Sequence, residues 1–497
     1  MAARWLGDWG RFWWALAALN LSKTLYVARR RRSRCPCQCP SDSGLAWKTG
    51  CEAMALWNSP ARFRRVCPLL KKAPGGSWVC SVNAAEVRPF WGRAAAWFGG
   101  AVVALCFVCV VLSFGFLRTV GYPVRFASVA WPPAWHEIRE ARGRYFFQKA
   151  EVALRANRMG EALLSLEQSY QLDPRAYLTG RILAQLWQMS ESDQSNQIYR
   201  KLMTEHPEQR TQTAMAWHLG LLSRGDFKSV EGLAWERMNA DPTQTSAWLN
   251  AFMIASRRTR DDTFLKKAPT AATLPDFVKQ ACAWELETRR DPPEQVRRLL
   301  TAPIPAGEDP YLLYYRIEWL IGAGYGGDAL FQIDHEQDRL PASDCLRFSL
   351  DAYSVLGWQS ILQHQVGQLL SARSSGAPLF ELICAHLIRY PNAALLAQTA
   401  DTFERGPPIP EDQRLGAYMS LFCAAGAAGD WKRLQAAETA LKGTSGRGIA
   451  GLDTLERYFR APGRNGPIER FLRILPSLPI DVTYALYAYS DSHPPGK

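Results

Sequence analysis

Trp97 to Leu117 reads WFGGAVVALCFVCVVLSFGFL, 21 residues without a charge, bounded by Arg93 and Arg118. As a helix this run extends about 31 Å at 1.5 Å per residue, close to the ~30 Å hydrocarbon core of a bilayer. Helices of soluble proteins rarely stay apolar on every face over such a length. Residues 97–117 are therefore expected to form a transmembrane helix. That expectation divides the chain into a head and a body in different compartments.

Charge divides it at the same place. Residues 1–96 hold 16 Lys/Arg against 4 Asp/Glu, a net of +12. The remaining residues hold 43 against 42, so nearly all of the formal +13 lies in the head. Positive loops stay on the cytoplasmic side of a membrane. The head is thus expected in the cytoplasm and the body on the extracytoplasmic side. A basic head can also meet anionic lipid, whereas the near-neutral body gives no reason to expect nucleic acid as a partner.

A second apolar run, FWWALAALNLSKTLYVA at 12–28, is interrupted by Asn20, Ser22 and Lys23. Four arginines follow at 29–32, where a cleaved signal peptide needs small residues. Segment 1–34 reads as an amphipathic, basic segment lying in the interface, with its tryptophans at headgroup level. The alternative is a first span whose end Arg29–Arg32 hold in the cytoplasm. The expectation is one pass, with two as the alternative.

Residues 35–93 are rich in cysteine. Six of the 12 lie there: Cys35, Cys37, Cys39, Cys51, Cys67 and Cys80. In a reducing cytoplasm structural disulfides are disfavoured. Zinc, or alternatively an iron–sulfur cluster, would bind such thiolates and supply folding energy to a small segment. Alternate residues of an extended strand share a side, so Cys35, Cys37 and Cys39 could converge on one metal. The run PLLKKAPGGSWV between Cys67 and Cys80 reads as two short strands around a Pro-Gly-Gly turn. Paired Cys-x2-Cys knuckles are absent and the head has no His. A reactive-thiol sensor and an accidental cluster remain the competing readings. Cys106 and Cys109 lie in the apolar run, and Cys282, Cys345, Cys384 and Cys423 read as small hydrophobes on separate helices.

Residues 118–141 read as a linker. Beyond them, helix-length amphipathic runs recur with short breaks. Gly-Asp stands at 225–226, 327–328 and 429–430, a step of 102 residues each time, or three times 34. Pro174, Pro207 and Pro242 are spaced by 33 and 35. The first unit carries Phe146, Ala150, Ala162, Leu166 and Pro174; the second Ile182, Leu183, Leu186, Tyr199 and Pro207; the third Trp217, Leu221, Gly225 and Pro242. Small residues let paired helices approach, large ones fill the contact, and proline stops the second helix.

This period and pattern resemble the tetratricopeptide-repeat family. Lys149 and Ala153 depart from its pattern. The resemblance implies an all-α solenoid of about nine helical hairpins over residues 142–446. Residues 447–497 are expected to be C-terminal helices capping the apolar end. It also implies a groove that holds a protein or peptide.

Catalytic patterns are lacking. His136-Glu137 has no second His of a zinc-protease helix, and IGAGYGG at 321–327 falls at a repeat turn. The expected function is a membrane-anchored scaffold or adaptor for protein–protein interaction, not an enzyme. Its alternatives are a metal- or redox-responsive transducer with a cysteine sensor head, and an accessory subunit of an envelope enzyme complex.

Overall fold

A computed structural model describes residues 2–33, 35–37, 70–72, 78–80, 87–156, 158–303, 307, 309–371, 376–405, 409–445, 451–464, 466–473, 475 and 478–494. The described residues are overwhelmingly helical. They divide into two compact units, one of residues 1–156 with 171–173, the other of 157–170 with 174–497.

In the first unit α1 spans Ala2–Ala28. Two of its three polar interruptions face inward, while Ser22 is exposed. Asn20 and Lys23 are buried together with Leu16 and Tyr26, while Trp14, Leu21 and Leu25 are exposed. Asn20 Oδ1 accepts the Phe90 N–H at 2.9 Å, and the Lys23 ammonium lies 4.7 Å from the Phe90 ring centre. The two strands expected in the head are present: β1 (Leu70–Lys72) and β2 (Trp78–Cys80) pair antiparallel, with Leu70 opposite Cys80.

Helix α2 (Trp91–Ala94) runs through a π-helical turn at Ala95–Gly99 into α3 (Gly100–Thr119). Val102–Thr119 has a mean hydropathy of 2.3 and is long and apolar enough to cross a membrane. At Gly121 the chain reverses with φ of 97°, a left-handed conformation that suits glycine. A short helix α4 (Phe126–Ala130) and the longer α5 (His136–Arg155) follow. The expected linker at 118–141 is thus partly helical, and Val124, Val129 and Ala141 form a small core with Val110, Phe114 and Leu117 of α3.

The second unit opens with α6 (Met159–Leu172), of which residues 159–170 belong to it. Eight helix pairs come next: α7 (Tyr177–Trp187) with α8 (Ser192–Glu205), α9 (Arg210–Arg224) with α10 (Phe227–Ala240), α11 (Thr245–Thr259) with α12 (Thr263–Lys267), and α13 (Asp276–Arg290) with α14 (Pro293–Leu300). The series continues with α15 (Pro310–Gly322) and α16 (Gly326–His335), α17 (Ala342–Val355) and α18 (Gln359–Ser371), α19 (Ala377–Arg389) and α20 (Ala393–Arg405), then α21 (Glu411–Ala428) and α22 (Trp431–Ser445). Their first helices begin at 177, 210, 245, 276, 310, 342, 377 and 411, in steps of 31 to 35 residues.

Polar bonds join residues one step apart. Tyr177 meets Thr213, Tyr314 meets Arg347, Gln359 meets Asn392, and Asp401 meets Arg433. Of the residues singled out in the first units, Ala150, Ala162, Leu166, Leu183, Tyr199, Trp217 and Leu221 are buried, Phe146, Pro174, Ile182 and Leu186 are half-buried, and Pro207 is exposed.

Two of the three Gly-Asp sites are turns, as their spacing predicts. Gly225 and Gly429 end α9 and α21 with φ of 70° and 72°. Asp226 and Asp430 then cap α10 and α22 by accepting the N–H of Ser229 and Arg433, each at 3.1 Å. The third site departs. Gly324 carries the positive φ there, 89°, and Gly327-Asp328 lies inside α16. The turn is three residues early because the IGAGYGG run offers several glycines.

Three tail helices follow: α23 (Leu452–Arg460), α24 (Glu469–Leu472) and α25 (Ile480–Ser492). They do more than cap the last pair. Helix α25 packs on α19 and α21 and also reaches back to α9. Phe227 meets Tyr487 edge to face at 5.0 Å, and the Tyr487 hydroxyl donates to the Leu222 carbonyl oxygen.

Candidate functional site

First helices of successive pairs touch one another, as α13 does α15, α15 does α17 and α17 does α19. They therefore present side chains to a common face. Where α25 crosses this face, a cavity of about 330 Å³ remains. Its walls come from α11 (Asn250, Ile254, Arg257, Arg258), α15 (Tyr314, Glu318), α17 (Arg347), α19 (Arg389) and α25 (Asp481, Tyr484, Tyr487, Ala488, Asp491). No local motif marks these residues, because five helices far apart in sequence supply them.

Most of the charges are held in place. Arg257 bonds Glu285 and Glu318, each at 3.0 Å, while 32% of its side chain stays exposed. Burial works against its charge, but the two carboxylates outweigh that and hold the guanidinium well above its ordinary pKa. Arg258 pairs with Asp491 and lies over the Phe227 and Tyr487 rings. Arg389 bonds Asp351 at 2.9 Å. Arg347 differs. Its guanidinium donates to the Tyr314 hydroxyl at 2.6 Å and lies over the Tyr314 and Phe348 rings. No carboxylate pairs with it directly among the described residues. Burial pushes the Tyr314 and Tyr484 phenols up, so both remain neutral donors at physiological pH.

Arginine and tyrosine converging on a partly desolvated concavity are the residue types that dominate interface hot spots. They offer forked N–H donors, aryl faces and hydroxyls. This set can bind a side chain or chain end carrying an acceptor. It holds no nucleophile beside a base.

One buried network behind the cavity has the bond order of an acyl-transfer triad. His386 Nδ1 lies 2.6 Å from Asp351 Oδ1, and His386 Nε2 lies 3.2 Å from Ser354 Oγ. The scattered histidines show no sign of it in the sequence, since its members come from neighbouring repeats. His386 is fully buried, and Ser354 lines neither this cavity nor a second one of about 250 Å³ between α7, α9 and residues 472–483. The network ties α17 to α19. Burial would raise the Asp351 pKa, but Arg389 and His386 override that and hold it below the ordinary carboxylate value.

The expected metal ligands are placed only in part. Cys35 and Cys37 are half-buried near the end of α1. Cys80 ends β2. Cys39, Cys51 and Cys67 lie outside the described residues. Among the described residues no three His, Cys, Asp or Glu side chains gather as a metal would require. In the body, Cys282, Cys384 and Cys423 are buried as expected, whereas Cys345 is only half-buried. Burial pushes the Cys282 and Cys423 thiols up to about 12, which makes them inert packing groups. No family model, curated protein or solved structure matches this chain.

Proposed function

We propose that this chain is a membrane-anchored, tetratricopeptide-like scaffold that binds a protein or peptide partner at the α25 face. The observation that carries this reading is the Arg- and Tyr-lined cavity on a face built by helices that recur every 31 to 35 residues. A partner residue with an acceptor group would engage Arg347, whose charge has no direct carboxylate partner among the described residues. The flanking rings of Tyr314 and Tyr484 would supply contact area. Helix α3 would anchor the scaffold, with the basic head in the cytoplasm and the repeats outside it.

In-cell photocrosslinking from position 254, at the cavity wall, tests the reading. Position 361, exposed on α18, serves as the control. One protein adduct is expected from 254, weaker in Arg347→Glu and absent from 361. Equal labelling from both positions would refute the docking face.

The cysteine head is proposed as a structural zinc or iron–sulfur module. The pairing of Leu70 with Cys80 favours it, because Leu70 follows Cys67 by only three positions in the sequence. Metal analysis of the reduced protein should find about one equivalent, lost when Cys35, Cys37 and Cys39 become serine. An unchanged metal content in that variant would remove the module.

A further inference from the structure

The stretch after the apolar helix does not leave it. Phe126 on α4 meets two rings of α3 edge to face: Phe114 at 5.5 Å and Phe107 at 6.5 Å between centroids. Phe114 and Phe107 precede Leu117, the end of the apolar run, by three and ten residues. At 1.5 Å per residue these positions lie about 4.5 and 15 Å inside that end, so Phe126 sits roughly 10 Å down along the helix. The chain has turned back at Gly121 to reach it.

Only one stripe of α3 is covered by this return, through Val110, Phe114 and Leu117. Val111, Leu112 and Phe116 beside it remain exposed. The returning segment adds apolar surface of its own: Phe126 is 41% exposed, Trp135 57% and Trp131 65%. A patch of large apolar side chains contiguous with a membrane helix has one natural solvent, the lipid that surrounds the helix.

Backbone polarity is met in large part within the protein. Nonpolar surroundings demand that N–H groups be bonded within the protein. The N–H groups of Tyr122, Val124, Ser128, Trp131, Ala134 and Trp135 donate to backbone carbonyls within the segment or at the end of α3, while those of Arg125, Phe126 and Ala127, at the first turn of α4, have no backbone acceptor among the described residues. Pro123, Pro132 and Pro133 carry no N–H at all. The Trp135 indole donates to the Val129 carbonyl oxygen at 3.2 Å.

From this geometry we propose that residues 122–135 form a wedge inserted into the leaflet where α3 leaves the bilayer. Its partner is the phospholipid of that leaflet. Phe126 occupies the upper acyl region. Trp131 and Trp135 sit at headgroup depth, where indoles are favoured. Arg118 and Arg125 flank the wedge and meet lipid phosphates. The proposal rests on the membrane reading of α3.

The test places a diazirine amino acid, one position at a time, at 126, 131 and 135 of the full chain. The protein is reconstituted in vesicles of phosphatidylcholine and phosphatidylglycerol. Position 112, exposed on α3, reports the span, and position 178, exposed in the second unit, reports chance encounters. Mass spectrometry after irradiation should find phospholipid adducts at 126, 131 and 135 at yields comparable to 112, with none at 178. Adducts at 112 without adducts at 126, 131 and 135 would overturn the wedge and leave the span standing. Adducts nowhere would overturn both.

Discussion

Glu231 shows how a single buried acid sets a pH dependence. It is almost fully buried on α10, and its Oε2 accepts from the Thr259 hydroxyl at 3.2 Å. Burial pushes its pKa up to about 7, with Asp261 adding to the rise and the Thr259 bond opposing it. The folded state then binds this proton more tightly than the unfolded state does. Its contribution is fully present below the unfolded value near 4.5 and is lost as pH rises to about 7. Glu231→Gln is expected to raise the melting temperature at pH 8 and to leave it unchanged near pH 4. Thermal melts across that range check it; a constant offset at every pH would contradict the assignment. At Gly426 the constraint is steric. A Cβ there would lie 2.2 Å from the buried Phe459 ring. Overpacking costs ~1–3 kcal/mol, while the helix gain from glycine to alanine is roughly 0.5–1 kcal/mol. Gly426→Ala should therefore shift the urea midpoint down, and an upward shift would show that Phe459 yields without cost.

Among the elements, α25 ties distant parts of the second unit together, packing on α19, α21 and α9. It buries Val482, Leu486, Tyr487 and Tyr489. At about 1.5–3 kcal/mol for each large apolar side chain, their sum approaches the whole stability of an ordinary domain, roughly 5–15 kcal/mol. Deleting residues 479–497 should abolish cooperative unfolding of the second unit and expose dye-binding surface. A truncated chain that melts as sharply as the full one would make α25 a passenger. Acid should loosen the same contact. His218 on α9 faces the Tyr484 hydroxyl at 3.2 Å, and burial lowers its pKa to about 4. Its stabilising share is complete above the unfolded value of 6.5 and declines as pH falls toward 4. Hydrogen exchange in α25 should therefore quicken, once corrected for the intrinsic rate, between those values. His218→Gln, which cannot take up a proton there, should remove the added acid sensitivity.

At the scale of the whole molecule, the membrane reading makes the plainest prediction. Deleting residues 97–117 should move the body into the soluble fraction. Carbonate-resistant association of that variant would mean that residues 12–28 also span. The repeat period is legible in the sequence because it is enforced locally. Gly225 and Gly429 must take a left-handed turn, and Asp226 and Asp430 must cap the next helix, so spacing alone exposes them. Ala150, Ala162, Leu166 and Trp217 announce their burial by size and periodicity. Asn20 and Lys23 are informative in another way. In the sequence they only interrupt an apolar run, whereas in the fold they are the buried face of α1.

The cavity is not legible in the same way. Asn250, Tyr314, Arg347 and Tyr484 look like ordinary polar positions on separate amphipathic helices, and their convergence depends on how successive pairs stack and where α25 returns. The Asp351–His386 bond is hidden for the same reason. Local features are set by the order of the amino acids alone: helix type, the ~34-residue period, the apolar length that fits a bilayer and the concentration of charge in the head. These follow from backbone sterics, side-chain periodicity and transfer free energy, which act over a few neighbouring residues. Three-dimensional packing settles the rest: which helix faces meet, the return of the tail to α9, and the folding of the stretch after α3 against that helix. Those outcomes depend on contacts between residues tens to hundreds of positions apart, and no local pattern encodes them.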